Sequence, residues 1–285
     1  MNNEITNKYK TAPEHSELGK QSSYEDAYNP NRLYPIPRAG KRLEIGINPE
    51  RIPFYGFDIW NHYEVSWLNE KGKPIVAIAE IIYDCSSEFI IESKSMKLYF
   101  NSLNNTKFKS LMEVQALVKK DLEACLQTEV LVKIVPVGEE SAIDLQQSFA
   151  GVNIDNLDIE CKDYMINPET LKTSTQLVEE TLYSDLLKSN CLVTGQPDWG
   201  SVQIQYKGRK IDHGGLLKYL VSFRNHNEFH EQCIERIFVD IMNYCKPEEL
   251  TVYGRYTRRG GLDINPYRSS KKVSLQNLNM RLVRQ

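Results

Sequence analysis

Apolar and polar positions along the chain change period several times, and each change marks an element. From Tyr55 the pattern becomes strand-like, and Ile75 to Tyr83 is a β-rich apolar run bounded by Gly72, Pro74 and Asp84. Between Phe108 and Leu126 the apolar residues Phe108, Leu111, Val114, Leu117, Val118, Leu122 and Cys125 recur at three-to-four spacing, which predicts a helix, and Val130 to Val137 then reads as a strand. After Val137 the chain turns polar and acidic through Gly138-Glu139-Glu140 to Asp158 without a clear period, which puts a domain boundary near residue 150. The second half opens on a helix start, with Asn167 as N-cap, Pro168 at the first helical position and Glu169 in the first turn, and this helix is expected to run to about Lys188. Ser201 to Tyr206 and Leu216 to Phe223 read as strands. A helix from about Asn227 carries Phe229, Cys233, Ile234, Ile237, Phe238, Ile241, Met242 and Cys245 on one face, and Leu250 to Tyr256 reads as a further strand. Ahead of all this lie some forty polar residues rich in Asn, Tyr and Pro, expected to form an arm that packs on the domain; Tyr34-Pro35-Ile36-Pro37-Arg38 is extended because each Pro restricts its predecessor.

The order of elements in the second half repeats the first. Sliding the chain on itself by 120 residues pairs Tyr99 with Tyr219, Ser102 with Ser222, Asn105 with Asn225, Cys125 with Cys245, Glu129 with Glu249 and Val132 with Val252 without a gap. Glu92 meets Asp212, and helix apolar positions coincide at Val114 with Ile234, Leu117 with Ile237 and Leu122 with Met242. The pattern implies two copies of one β-rich α+β unit, residues 1–150 and 151–285, free to diverge in function.

Composition narrows the classes. With 285 residues, 41% hydrophobic and 26% charged, the chain is long enough for about two folded domains. A formal charge of -3 supplies no basic field for a nucleic-acid backbone, so no direct nucleic-acid partner is expected. No apolar run approaches the roughly 20 residues that span a bilayer, and the first residues lack the charged and apolar regions of a signal peptide, so the expected location is cytoplasmic, with no membrane partner. The six cysteines form no C-x-x-C pair, which leaves neither a zinc ribbon nor a thioredoxin-type motif, and the ordinary fate of each is that of a small buried hydrophobe.

One of the six stands apart. Cys191 lies in Ser189-Asn190-Cys191-Leu192-Val193-Thr194-Gly195-Gln196-Pro197-Asp198-Trp199-Gly200, a loop-forming segment, whereas Cys125, Cys233 and Cys245 fall on apolar helix faces. A helix ending at Lys188 would set its negative dipole end against thiolate formation, so another group must activate the thiol. Asp198 is the candidate proton acceptor and donor; its bland alternative is an Asx-turn residue after Pro197. These residues alone leave both readings open. In Asn225-His226-Asn227-Glu228-Phe229-His230-Glu231, the pair His230-Glu231 lies off the apolar stripe in the first helical turn, where helix dipole and solvent exposure would account for it. His226 and His230 at i, i+4 lack a further ligand set, and no metal is expected. A carboxylate there suits a guanine-like base, accepting from a ring N–H and an exocyclic amine in parallel. Glu92-Ser93-Lys94-Ser95-Met96-Lys97-Leu98-Tyr99, placed at the entry to a strand or turn, combines a carboxylate with hydroxyls and cations. Lys94 and Lys97 can meet phosphates, as can Arg255, Arg258 and Arg259 beside the Gly260-Gly261 backbone. No G-x-G-x-x-G or Walker motif is present, which excludes the usual Rossmann and P-loop sites.

With these residues the sequence resembles the NADPH-dependent 7-cyano-7-deazaguanine reductases of queuosine biosynthesis, in their long, two-module form. The resemblance rests on Glu92 to Tyr99, Ser189-Asn190-Cys191 through Asp198-Trp199-Gly200, Phe229-His230-Glu231, and Arg258-Arg259-Gly260-Gly261-Leu262-Asp263-Ile264-Asn265-Pro266, and runs from about Leu18 to the C-terminus. It implies two tandem tunnelling-fold modules, each an antiparallel β-sheet with helices packed on one face. It also implies a nitrile oxidoreductase in which Cys191 adds to the nitrile carbon as a covalent thioimide and Asp198 handles protons, with two NADPH as cosubstrate delivering two hydrides by way of an enclosed imine. By the same resemblance Ile91, Glu92, Ser93, His230 and Glu231 hold the deazaguanine, and Ser93, Lys94, Arg259 and Gly260 hold NADPH. Since Glu92 and Cys191 belong to different modules, the resemblance implies a site drawing on both halves within a homodimer. Two alternatives stand beside it: a thiol-dependent nitrile or amide hydrolase using Cys191, and a purine- or pterin-binding module in which Cys191 is incidental.

Overall fold

The structure is a computed structural model that describes residues 27–138, 144–275 and 278–285. Much of the expected arm, residues 1–26, lies outside the described residues. The fold is α+β. Its strands are β1 (Pro35–Pro37), β2 (Tyr55–Leu68), β3 (Pro74–Asp84), β4 (Phe89–Ile91), β5 (Val130–Pro136), β6 (Asp144–Gln146), β7 (Val152–Asn153), β8 (Thr173–Asn190), β9 (Pro197–Ile211), β10 (Glu249–Tyr256), β11 (Leu262–Ser269) and β12 (Met280–Leu282). Among the described residues five α-helices accompany them: α1 (Ala39–Glu44), α2 (Ser93–Leu103), α3 (Leu111–Leu126), α4 (His213–Ser222) and α5 (His230–Tyr244). Among the described residues no helix is long and apolar enough to cross a membrane.

The chain divides into two compact units, one of Met1–Ile52, Ile59–Ala142 and Arg258–Asp263, the other of Pro53–Asp58, Ile143–Thr257 and Ile264–Gln285. In the first, β3 lies between β2 and β5 and pairs antiparallel with β5. Helix α3 starts at Ser110, whose side chain accepts the Glu113 N–H, and ends on Gln127 in a left-handed conformation. Its buried stripe is Val114, Val118, Leu122 and Leu126, and it packs against β5. In the second unit the order is β11-β10-β9-β8-β7, antiparallel throughout except that β7 runs parallel to β8. Helix α5 lies so close on β10 that a Cβ at Gly254 would come within 2.6 Å of Ile234 Cδ1.

Three expectations need correction. The segment from Leu171 to Asn190 is not a helix. Asn167 does cap a helical turn, accepting from the Glu169 N–H, but only the 3-10 turn Pro168–Thr170 follows it. Beyond it β-branched Thr173, Thr175, Val178 and Thr181 favour an extended chain. Burial then alternates at Leu182 and Ser184 and, after a bulge, at Leu187 and Ser189, which is the two-residue period of a strand. Leu216 to Phe223, expected as a strand, belongs to α4 and a following 3-10 turn. A short unbroken apolar run does not by itself separate buried strand from buried helix, and here the Asp212 cap decides. The Glu92 segment likewise opens helix α2 rather than a strand.

The internal repeat is built into the hydrogen bonds. Tyr99 donates to Asp121 at 2.7 Å and Tyr219 to Asp240 at 2.6 Å; Ser102 Oγ donates to the Tyr99 carbonyl and Ser222 Oγ to the Tyr219 carbonyl, both at 2.6 Å. The lead-in repeats as well, at a spacing of 138 residues. Asn29 and Asn167 each cap an Asn-Pro 3-10 turn, and each donates its N–H to the Ser102 or Ser222 hydroxyl at 3.1 Å.

Candidate active site

In the second unit, β8 and β9 form a long hairpin with Ser189 opposite Asp198, and Cys191 opens its turn. The Cys191 N–H donates to the Gln196 carbonyl at 2.8 Å and its own carbonyl accepts from Gly195 N–H at 3.0 Å, closing a six-residue loop in which Gly195 takes φ +66. Cys191 therefore follows a strand, so the helix-dipole objection to its reactivity does not apply. Its side chain and that of Asp198 are 7% and 5% exposed, sheltered yet reachable.

The hairpin end is clasped by the segment that leads into α5. Asn190 donates its N–H to the His226 carbonyl at 2.8 Å and accepts from Glu228 N–H at 3.1 Å, which brings the first turn of α5 to the thiol loop. There His230 Nε2 lies 3.5 Å from Asp198 Oδ2, close enough for ion pairing though without hydrogen-bond alignment. The His230 imidazole stacks on Tyr256 at 3.9 Å with a 26° interplanar angle, and Gly200 gives that ring room, since a Cβ there would sit 3.1 Å from it. Glu231 is 1% exposed. The solvent-face account of His230 and Glu231 is therefore corrected: both turn inward because α5 begins against the hairpin. Behind them burial pushes the Cys233 thiol well above its usual range, with the Glu228 charge adding, and burial likewise raises the Tyr256 hydroxyl, with Cys233 and Asp198 adding. These stay protonated. His226 pairs with Glu228 at 2.9 Å rather than facing His230.

The first unit gathers the other candidates at the start of α2. Glu92, fully buried, caps the helix with both oxygens, accepting from Lys94 N–H at 2.6 Å and Ser95 N–H at 2.7 Å. Burial pushes its carboxyl above the usual carboxylate range, against the pull of those N–H groups and of Lys97 and Lys94. The Glu92 N–H donates to the Tyr34 carbonyl at 3.0 Å, and Ile91 is fixed in β4 opposite Pro35. Ser93 and Lys94 are half-buried.

The turn from Arg258 to Asp263 belongs to this unit too. Gly260 and Gly261 take φ of +58 and +75, and added Cβ atoms would sit 3.1 Å from Lys97 Cδ and 2.6 Å from Glu64 Cδ. Bare backbone thus lies beside Lys97, on the helix that opens with Ser93 and Lys94. That arrangement suits a phosphate-bearing ligand. Arg255 is excluded from such a role: it is 1% exposed inside β10 and donates to Gln285 and the Tyr253 hydroxyl. Two residues escaped the sequence: Tyr256, the platform under His230, and His62, buried on β2. Neither sits in a motif, and only their placement in the fold marks them.

Family models match at residues 24–134 ("Nitrile reductase, 7-cyano-7-deazaguanine-reductase N-term") and 197–274 ("QueF-like protein"). Proteins named NADPH-dependent 7-cyano-7-deazaguanine reductase match along nearly the whole chain. The one from Legionella pneumophila (strain Lens) is 63% identical, covering 100% of each chain. That from Delftia acidovorans is 52% identical over 96% of this chain and 99% of its own, and that from Hydrogenovibrio crunogenus 53% identical over 94% and 96%. Among solved structures, the apo form of the archaeosine synthase QueF-Like aligns with 35% of this chain at 18% identity and a TM-score of 0.30, too partial to bear on the fold. Two family models in order and relatives this similar over their full length place the chain in a single family: it belongs to the NADPH-dependent 7-cyano-7-deazaguanine reductases.

Proposed function

We propose that the chain reduces the nitrile of 7-cyano-7-deazaguanine to the aminomethyl group, within queuosine biosynthesis, through a covalent thioimide on Cys191. The observation that carries this is the end of the β8–β9 hairpin, which holds a sheltered thiol at the start of its turn and a sheltered carboxylate near the start of β9, with His230 against the carboxylate. Asp198 takes the Cys191 proton, the sulfur adds to the nitrile carbon, and a proton reaches the nitrogen, converting a poor hydride acceptor into an electrophilic C=N group. NADPH, when bound, supplies the two hydrides. With two protons these complete the four-electron reduction, and loss of the carbon–sulfur bond after the first hydride gives the imine that accepts the second. Glu231 and Glu92, with His230, Ile91 and Ser93, hold the deazaguanine; Ser93, Lys94, Arg259 and Gly260 hold NADPH.

The assembly is a homodimer in this reading, tested by light scattering, where a species of one chain mass overturns it. Activity is tested by stoichiometry. Two NADPH oxidised per nitrile with no ammonia released is the expected result. Ammonia release without nicotinamide oxidation means a thiol hydrolase instead, and binding without turnover means a binding module.

A further inference from the structure

His62 lies on β2 in the first unit, 3% exposed, with its ring 4.4 Å from that of Phe100 on α2. Its Nδ1 is 3.1 Å from the carbonyl of Gly261, and that carbonyl also accepts from the Tyr63 N–H at 2.8 Å. Burial drops the imidazole pKa to about 4, so the ring is neutral near pH 7, and because a carbonyl only accepts, the proton sits on Nδ1. The neighbours on β2 hold the same turn: Asn61 Nδ2 and the Tyr63 hydroxyl donate to Asp263 at 2.8 and 2.7 Å, and the Arg258 guanidinium lies 4.6 Å over the Tyr63 ring. The turn from Arg258 to Asp263 is thus pinned to one strand by side chains at three successive positions.

A histidine is a costly way to fill a core position, since its second nitrogen and its titration both need accommodation. We infer that His62 is a positioning residue for the cosubstrate, fixing the Gly261 carbonyl so that the bare Gly260 backbone and Arg259 keep their places beside Lys97. This rests on assigning NADPH to Ser93, Lys94, Arg259 and Gly260.

The test uses full-length enzyme and two kinds of variant. His62→Leu removes the donor and fills the space with hydrocarbon; His62→Asn deletes most of the ring but keeps an N–H donor at the Nδ1 position. NADPH binding is measured by calorimetry, KM and kcat by turnover, and thioimide formation by intact mass with the nitrile alone. The expected result for His62→Leu is about tenfold weaker NADPH binding, with KM for NADPH raised in step and thioimide yield unchanged. His62→Asn should recover most of that loss. Unchanged NADPH affinity in His62→Leu, or the loss appearing only in His62→Asn, overturns the inference and leaves His62 a packing residue. Arg259→Ala separates the two levels: if it too leaves NADPH binding unchanged, the cosubstrate assignment fails and takes the inference with it, whereas weakened binding in Arg259→Ala alone condemns only the role of His62.

Discussion

Helices α2 and α4 begin in the same way and end up surrounded by different chemistry. Glu92 caps α2 through the Lys94 and Ser95 N–H groups, and Asp212 caps α4 through those of Gly214 and Gly215 at 3.3 and 3.0 Å. Each capping residue donates its own N–H to an incoming chain, Glu92 to Tyr34 and Asp212 to Lys172. The carboxylate is therefore a structural inheritance of the unit, present whether or not a ligand is recognised. What differs is what stands around it. At α2 the following positions bring Lys94 and Lys97, and the Gly260–Gly261 turn lies against Lys97. At α4 the same positions are Gly214 and Leu217, and His213 is tied to Glu180 at 3.1 Å. A candidate site is marked by departure from the repeat, not by the feature the copies share.

Substitutions at matched positions sharpen the contrast. The largest effect should fall on activity: Glu92→Gln is expected to raise KM for the deazaguanine about a hundredfold, because a charge-assisted hydrogen bond is worth about 1.5–3 kcal/mol, whereas Asp212→Asn leaves turnover per folded molecule unchanged. Steady-state kinetics on both variants decides, and equal losses would erase the distinction.

Next comes acid stability. The folded pKa of His62, about 4, lies below its unfolded value near 6.5, so between those values the unfolded chain binds the extra proton. Stability is complete above about pH 6.5 and falls by up to about 3 kcal/mol as pH drops toward 4. Denaturant titrations across that window should show a shallower fall in His62→Leu.

Gly215 and its counterpart Ser95 supply a smaller contrast. Ser95 places its hydroxyl between the Glu92 carbonyl and the Tyr34 N–H, but a Cβ on Gly215 would lie 2.1 Å from the Thr170 carbonyl oxygen. Gly215→Ser should cost about 2 kcal/mol of stability, and Ser95→Gly less, as read by thermal unfolding. Smallest is the cap itself, where Asp212→Ala should cost about 1 kcal/mol.

The repeat was legible because it survives in spaced identities such as Tyr99 with Tyr219, which turn out to anchor Asp121 and Asp240. Strands β3, β5 and β10 and helices α3 and α5 follow from periodicity alone. Strand β8 did not, because Asn167-Pro168-Glu169 is a sound helix start whose helix lasts one turn. That misreading also set a dipole against Cys191 that the hairpin removes. The motifs named the residues but not their neighbours: the approach of His230 to Asp198 depends on Asn190 bridging the hairpin to residues 226 and 228, a contact between distant segments. Tyr256 and His62 stayed hidden for the same reason.

In the proposed reaction Cys191 departs from its five fellow thiols by bonding covalently to the nitrile. Intact-mass spectrometry of the protein mixed with 7-cyano-7-deazaguanine, without NADPH, tests it directly. One adduct of the nitrile's full mass per chain, absent in Cys191→Ala, is the predicted result. No adduct on the unaltered protein, or an adduct that persists in Cys191→Ala, contradicts it.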